Sequence, residues 1–264
     1  MAAVLAGVRA VAHRLVVPAL AVLAWYVIAK RELVSPVFLP TPGGVLAAAR
    51  DMWRADTLGE ATRYTLGSAL SGWIIACVLG VVVAIVITRN RFLVDALAPP
   101  LDFVRSLPAA ALIPPATLLF GFGRAMEIPV VVLGAIWPVL LNATQGLLET
   151  EPQLHDVARS IRLSRLRRVY SIELPAALPA ILLGVRTALS VAVIVAVVAE
   201  MVGSSGGLGY ELILASQRFQ SGEVYALVFL LGAIGVAANA LVHALERRIV
   251  SRPGSLSTTT DSDN

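Results

Sequence analysis

The chain has 264 residues, 58% of them hydrophobic and 14% charged, with a mean hydropathy of +0.82, which excludes an ordinary soluble domain and predicts an integral membrane protein. The net charge of +4 rests almost wholly on arginine, with Lys30 the single lysine, and gives no argument for nucleic acid. Cys77 is the only cysteine, which excludes a disulfide framework and a cysteine-based metal site.

A helical crossing takes about 20 apolar residues to cover roughly 30 Å of hydrocarbon. Six apolar stretches bounded by charge or turn residues read as crossings, near 15–29, 65–88, 97–121, 127–148, 178–202 and 224–245. They divide the chain into an N-terminal region 1–34 with the first helix, an extracytoplasmic connection 35–61, a transmembrane domain 62–248 and a polar tail 249–264. The first stretch has no small-residue cleavage site after it and reads as a retained helix, not a removed signal peptide. With both termini inside, the cytoplasmic segments hold twelve basic residues and the outer ones seven, the asymmetry expected of inward-facing flanks.

The third stretch, ALAPPLDFVRSLPAAALIPPATLLFGFG, carries prolines at 99, 100, 108, 114 and 115, each of which removes a helix donor. A broken helix at membrane depth belongs inside the bundle or beside a solute pathway, because freed carbonyls need partners there; a kink that only improves packing is the other reading. Arg105 and Pro108 are candidate pathway residues, and Asp102 lies one turn before Arg105, so the two charges also suit a neutralising pair.

Between the fourth and fifth stretches lies a cytoplasmic docking-surface candidate, 149–175, with five arginines from Arg159 to Arg168. Thr150 and Gln153 have capping-box spacing, and Leu154, Val157, Ala158 and Ile161 recur at helical intervals, which predicts a short amphipathic helix. After a break near Arg162 and Leu163, Ser164 caps a second short helix with Leu166, Val169 and Tyr170 on one face. Two short cytoplasmic helices make a docking knob; a solvated basic loop touching anionic lipid is the alternative.

The fifth stretch carries Arg186 and Glu200, both costly within a bilayer. Arg186 either snorkels to the inner interface or serves the pathway. Glu200 precedes GSSGGLG at 203–209 and suits the backbone donors freed at that turn. That glycine run lacks the Lys-Ser/Thr ending of a phosphate loop, and three scattered histidines give no metal or haem site. No catalytic residue, metal or cofactor is therefore expected, and if energy is used here, another subunit has to supply it.

The 155–181 stretch resembles the EAA loop of binding-protein-dependent ABC transporter permeases. Asp156, Val157 and Ala158 fall on the Glu-Ala-Ala positions, Leu163 and Ser164 follow, and Leu174, Pro175 and Pro179 match the closing Leu-Pro. Arg162 stands at the usual glycine position, a departure that strains a left-handed turn. FLPTPGGVLAA at 38–48, SLPAAALIPPATLLFGFG at 106–123, LPAILLGVR at 178–186 and VVAEMVGSSGGLG at 197–209 are similar to the nitrate/sulfonate/bicarbonate/taurine branch of these permeases.

The resemblance implies an all-α type I importer permease of six transmembrane helices in the bacterial inner membrane. It implies partnership with cytoplasmic ABC ATPase subunits, an extracytoplasmic solute-binding protein and a second copy of the chain. Asp156, Val157, Ala158, Ile161, Arg162, Leu163 and Arg165 would form the ATPase-coupling loop; Arg105, Pro108, Arg186 and Glu200 are the pathway candidates. The expected solute is a small oxyanion such as a sulfonate, taurine or nitrate, with a neutral or cationic small molecule as the alternative. A secondary carrier or channel would show repeated broken helices, and a second copy of the third stretch's proline pattern is not found. An embedded enzyme would need an acid-base or ligand constellation that the histidines and cysteine do not supply.

Overall fold

A computed structural model describes residues 2–149 and 164–250, and every element in them is helical. In chain order these are α1 Ala2–Lys30, α2 Pro42–Arg54, α3 Thr57–Ile87, α4 Arg91–Ser106, α5 Ile113–Phe120, α6 Arg124–Leu148, α7 Arg165–Arg168, α8 Leu174–Gly203, α9 Leu208–Gln217 and α10 Ser221–Val250.

Four helical segments among the described residues are long and apolar enough to cross a membrane, Thr57–Ile87, Arg124–Leu148, Val169–Gly203 and Ser221–Ala244. They cover the second, fourth, fifth and sixth expected crossings. The first is represented by a shorter apolar stretch, Val16–Lys30. The third is the broken stretch its prolines predict, a pair bent by 80° between Phe92–Ser106 and Ala109–Phe120.

The bend follows from local chemistry. Pro108 has no N–H to continue the helix, and Leu107 before it is pushed into an extended conformation, φ −74° and ψ 125°. A single 3₁₀ turn, Ala109–Leu112, then leads into α5, whose Pro114 and Pro115 lie in its first turn where no backbone donor is missed. Pro99 and Pro100 sit within α4 without ending it. On the single chain Phe103 is 68% exposed and Leu118 89% exposed.

The centre is a three-helix packing of α3, α6 and α8. Lipid chains are as apolar as leucine, so helices in a bilayer associate through close backbone approach at small residues. Ala69, Gly72, Ala76, Gly80 and Ala84 give α3 such a stripe, and Gly184, Ala188, Ala192 and Ala196 give one to α8. Val131, Ala135 and Val139 of α6 fill the space between. A Cβ at Gly80 would lie 2.9 Å from that of Val139, so the stripe is filled.

Around this core α10 packs on α8, α9 and α2. Thr41 caps α2 by accepting from the Gly44 N–H at 3.1 Å, and Met52 joins Leu58, Leu208 and Leu227 in a second apolar cluster. Trp25 of α1 stacks on Tyr225 and Phe229 of α10.

Ser164 accepts from the Arg167 N–H at 3.4 Å and so begins α7 as expected. The helix then widens into a π turn, Val169–Glu173, where the Leu174 N–H reaches Val169 O and Arg168 pairs with Glu173 at 2.7 Å. Adjacent residues lie about 100° apart around a helix, so one can be buried and the next exposed. Val169 is buried, but Tyr170, expected on the same face, is 69% exposed.

Candidate functional site

Two polar places interrupt the apolar bundle. One is the end of α4, where the Arg105 guanidinium lies 3.0 Å from the Asp102 carboxylate and the Ser106 hydroxyl donates to Asp102 O. The pair is partly open, with side chains 46% and 63% exposed.

Arg105 borders two cavities on either side of Trp137. The larger, about 230 Å³, is otherwise lined by apolar side chains including Leu107, Leu112, Leu133 and Val195. The smaller, about 120 Å³, includes Asp102, Leu140 and Thr144. Trp137 lies near the middle of α6, roughly 16–20 Å from either end at 1.5 Å per residue. Exposed charges at that depth face protein or water, because hydrocarbon gives them no partners. Pro108 is exposed at the bend just beyond.

Arg186 lies elsewhere. Its Nε donates to Asn239 Oδ1 at 2.8 Å and its Nη1 is 3.3 Å from His243 Nδ1, so it joins α8 to α10. Val195, which lines the Arg105 cavity, is nine residues on, two and a half turns away and therefore on the opposite side of α8. The structure does not bring Arg105 and Arg186 to one place.

The second polar place is at the end of the bundle where α8 finishes. Glu200 is fully buried, and its Oε2 accepts from Thr65 Oγ1 and from the Gly209 N–H, both at 2.9 Å. Glu127 of α6, also fully buried, accepts from Tyr64 at 3.1 Å and from Ser68 at 2.6 Å. Arg124 lies over the Tyr64 ring, 4.5 Å from its centroid. Glu200 thus meets a backbone donor of the glycine-rich turn, and Pro108, Arg105, Arg186 and Glu200 do not form a single cluster.

Sequence reasoning missed Glu127, Tyr64, Thr65, Ser68 and Trp137 as site residues. The available signal was Glu127 three residues after Arg124 at the head of an apolar helix, which reads equally well as an interfacial charge. Asp156, Val157, Ala158, Ile161, Arg162 and Leu163 lie outside the described residues, and Arg165 opens α7. Among the described residues no group of three or more metal-ligating side chains occurs.

Residues 76–252 match the family model described as binding-protein-dependent transport system inner membrane component. A Bacillus subtilis protein named for aliphatic sulfonates transport, the permease SsuC, is 31% identical over 89% of this chain and 86% of its own length. The bicarbonate transport system permease CmpB of Synechococcus elongatus is 30% identical over 70% of this chain and 67% of its own. The taurine transport system permease TauC of Escherichia coli is 28% identical over 85% and 84%. Among solved structures, the inward-facing MetNI methionine ABC transporter has a chain that superposes with a TM-score of 0.56 at 23% identity, covering 74% of this chain and 98% of that one. An amino acid ABC transporter solved with histidines gives 0.58 at 14% identity, over 75% and 97%.

Proposed function

This chain belongs to the family of binding-protein-dependent transport system inner membrane components, and we propose that it passes a small oxyanion such as a sulfonate, taurine or nitrate across the membrane. It is a permease subunit of an ABC importer of the bacterial inner membrane, with the type I importer fold.

The observation that carries the oxyanion reading is Arg105. Its guanidinium is partly open and, with Trp137 near the middle of α6, lines a cavity of about 230 Å³ whose other walls are apolar. A guanidinium offers a planar fork of donors matched to an oxyanion. An incoming anion competes there with the Asp102 carboxylate, which keeps the charge neutral while the path is empty. The relatives named for sulfonates, bicarbonate and taurine support the same class. A neutral or cationic solute is the alternative, and it gains nothing from this arginine.

The reading includes six crossings with both termini cytoplasmic. The 149–175 segment then meets the ATPase through Asp156, Val157, Ala158, Ile161, Arg162, Leu163 and Arg165. The binding protein delivers solute at the opposite end. A second copy covers the apolar surface of α4 and α5, of which Phe103, Leu118 and Leu119 are exposed in one chain.

The test is uptake into proteoliposomes holding the assembled importer. Arg105→Gln is expected to lower oxyanion uptake by about tenfold to a hundredfold, the loss of one charged hydrogen-bonding partner at about 1.5–3 kcal/mol. Equal uptake by the variant and the parent, or selective uptake of an uncharged solute by the parent, refutes the oxyanion assignment.

A further inference from the structure

The two buried glutamates share one strip of α3. Tyr64 and Ser68, one turn apart, donate to the two oxygens of Glu127, and Thr65 between them donates to Glu200. Thr65 also accepts from the Leu208 N–H at 2.8 Å, and Tyr64 accepts from the Ser204 hydroxyl at 3.1 Å. The Gly206 N–H reaches Ser204 Oγ at 3.3 Å, and the Gly123 N–H reaches Gly203 O at 2.9 Å. Every residue from Gly203 to Gly209 except Ser205 and Gly207 is therefore tied by a hydrogen bond to α3, to Glu200, to Ser204 or to the residue before α6.

Gly207 shows how closely the turn sits on the carboxylate. It adopts φ +101°, and a Cβ there would fall on the Glu200 carboxyl group. Among the described residues Glu200 Oε1 has no hydrogen-bond partner, and the contacts that hold the carboxylate are made through Oε2. Two fully buried carboxylates inside an apolar bundle cost solvation that simple packing would not require. The return on that cost is directional: three hydroxyls of α3 and the Gly209 amide at the start of α9 converge on carboxylates carried by α6 and α8.

We propose that Glu127 and Glu200 are positioning residues that fasten the Gly203–Gly209 turn to α3 and α6, so that this end of the permease moves as one body during transport. The proposal rests on the importer reading. What the clasp requires is an acceptor at Glu200 Oε2, not a negative charge, because the two donors that reach it are a neutral hydroxyl and a backbone amide. A glutamine keeps that acceptor for both donors, while its amide nitrogen brings two N–H groups to the buried position of Oε1 at some desolvation cost.

The experiment uses the complete importer in nanodiscs and proteoliposomes, with Glu200→Gln, Glu200→Ala and Thr65→Val. Two readouts are taken: uptake against the concentration of loaded binding protein, and hydrogen exchange at the Leu208 and Gly209 amides. Glu200→Ala leaves two buried donors unsatisfied and is expected to cut maximal uptake about tenfold while the half-saturating concentration shifts by less than about twofold, with both amides exchanging about tenfold faster. Glu200→Gln, which keeps the acceptor for both donors, is expected to lose clearly less than Glu200→Ala on every readout. Thr65→Val frees one donor pair and falls between; it decides the matter if Glu200→Ala does not assemble. The proposal is overturned if Glu200→Gln is as damaging as Glu200→Ala, or if Thr65→Val leaves uptake and exchange unchanged. A parent complex that takes up no solute indicts the importer reading instead.

Discussion

Gly184→Ala adds one methyl group where α8 crosses α6, and the structure fixes where it goes. The new Cβ would lie 2.7 Å from Pro138 O, 3.0 Å from Val139 Cα and 3.1 Å from Asn142 Cβ. The first two are backbone atoms, so no side chain can rotate away. Restoring an ordinary contact of about 3.4 Å means separating the helices by roughly 0.7 Å, an overpacking that costs about 1–3 kcal/mol in a close-packed interior. Pro138 O also accepts from the Asn142 side chain at 2.7 Å, a bond the same displacement disturbs. At about 2–4 °C per kcal/mol for a chain of this size, the melting temperature falls by about 3–10 °C. Thermal unfolding of the detergent-purified protein, followed through its 4 tryptophans, measures this. The comparison variants are Gly232→Ala and Gly235→Ala on α10, where an added Cβ meets nothing within 4 Å; these are expected to leave the midpoint unchanged or raise it, since alanine is the better helix former. A Gly184→Ala midpoint equal to that of the parent would refute the close α6–α8 approach, and a matching fall at Gly232 would show that the loss comes from glycine removal in general.

The coupling segment and the orientation give two further tests. Ala158→Asp places an unpaired charge on the expected docking face, so it should abolish ATPase recruitment or uncouple hydrolysis from uptake by about tenfold or more while the permease still inserts; unchanged coupled transport in reconstituted complexes would remove the docking role. In a Cys77→Ala background, Arg165→Cys should react with an impermeant thiol reagent from the cytoplasmic side alone and Ser221→Cys from the outside alone, and the reverse pattern would invert the topology.

Hydropathy located the apolar core because the bilayer imposes one rule on every crossing, and α3, α6, α8 and α10 obey it. Proline spacing announced a broken third crossing, but not its angle. The 80° bend depends on where the chain goes after Leu107, which is set by packing beyond the motif. Glu200 was legible as a partner of the glycine-rich turn because a buried carboxylate beside freed amides has few other uses. Glu127 was not, since its donors Tyr64 and Ser68 lie 63 and 59 residues away on another helix. Arg186 read as snorkelling or pathway-facing, and its actual partners Asn239 and His243 come from α10, outside any local pattern. The π turn was invisible for a different reason: one inserted residue within Val169–Glu173 leaves composition and hydropathy unchanged.

That π turn also keeps the chain helical from Val169 to Gly203, 35 residues without a break. At about 1.5 Å per residue this is a lever roughly 50 Å long, well beyond the roughly 30 Å of hydrocarbon it crosses. A tilt of about 5° about one end carries the other through about 4–5 Å, nearly the rise of a full helical turn. Small angular changes where the arm meets Arg168 and Glu173 are thereby converted into displacements large enough to exchange one set of side-chain neighbours for the next.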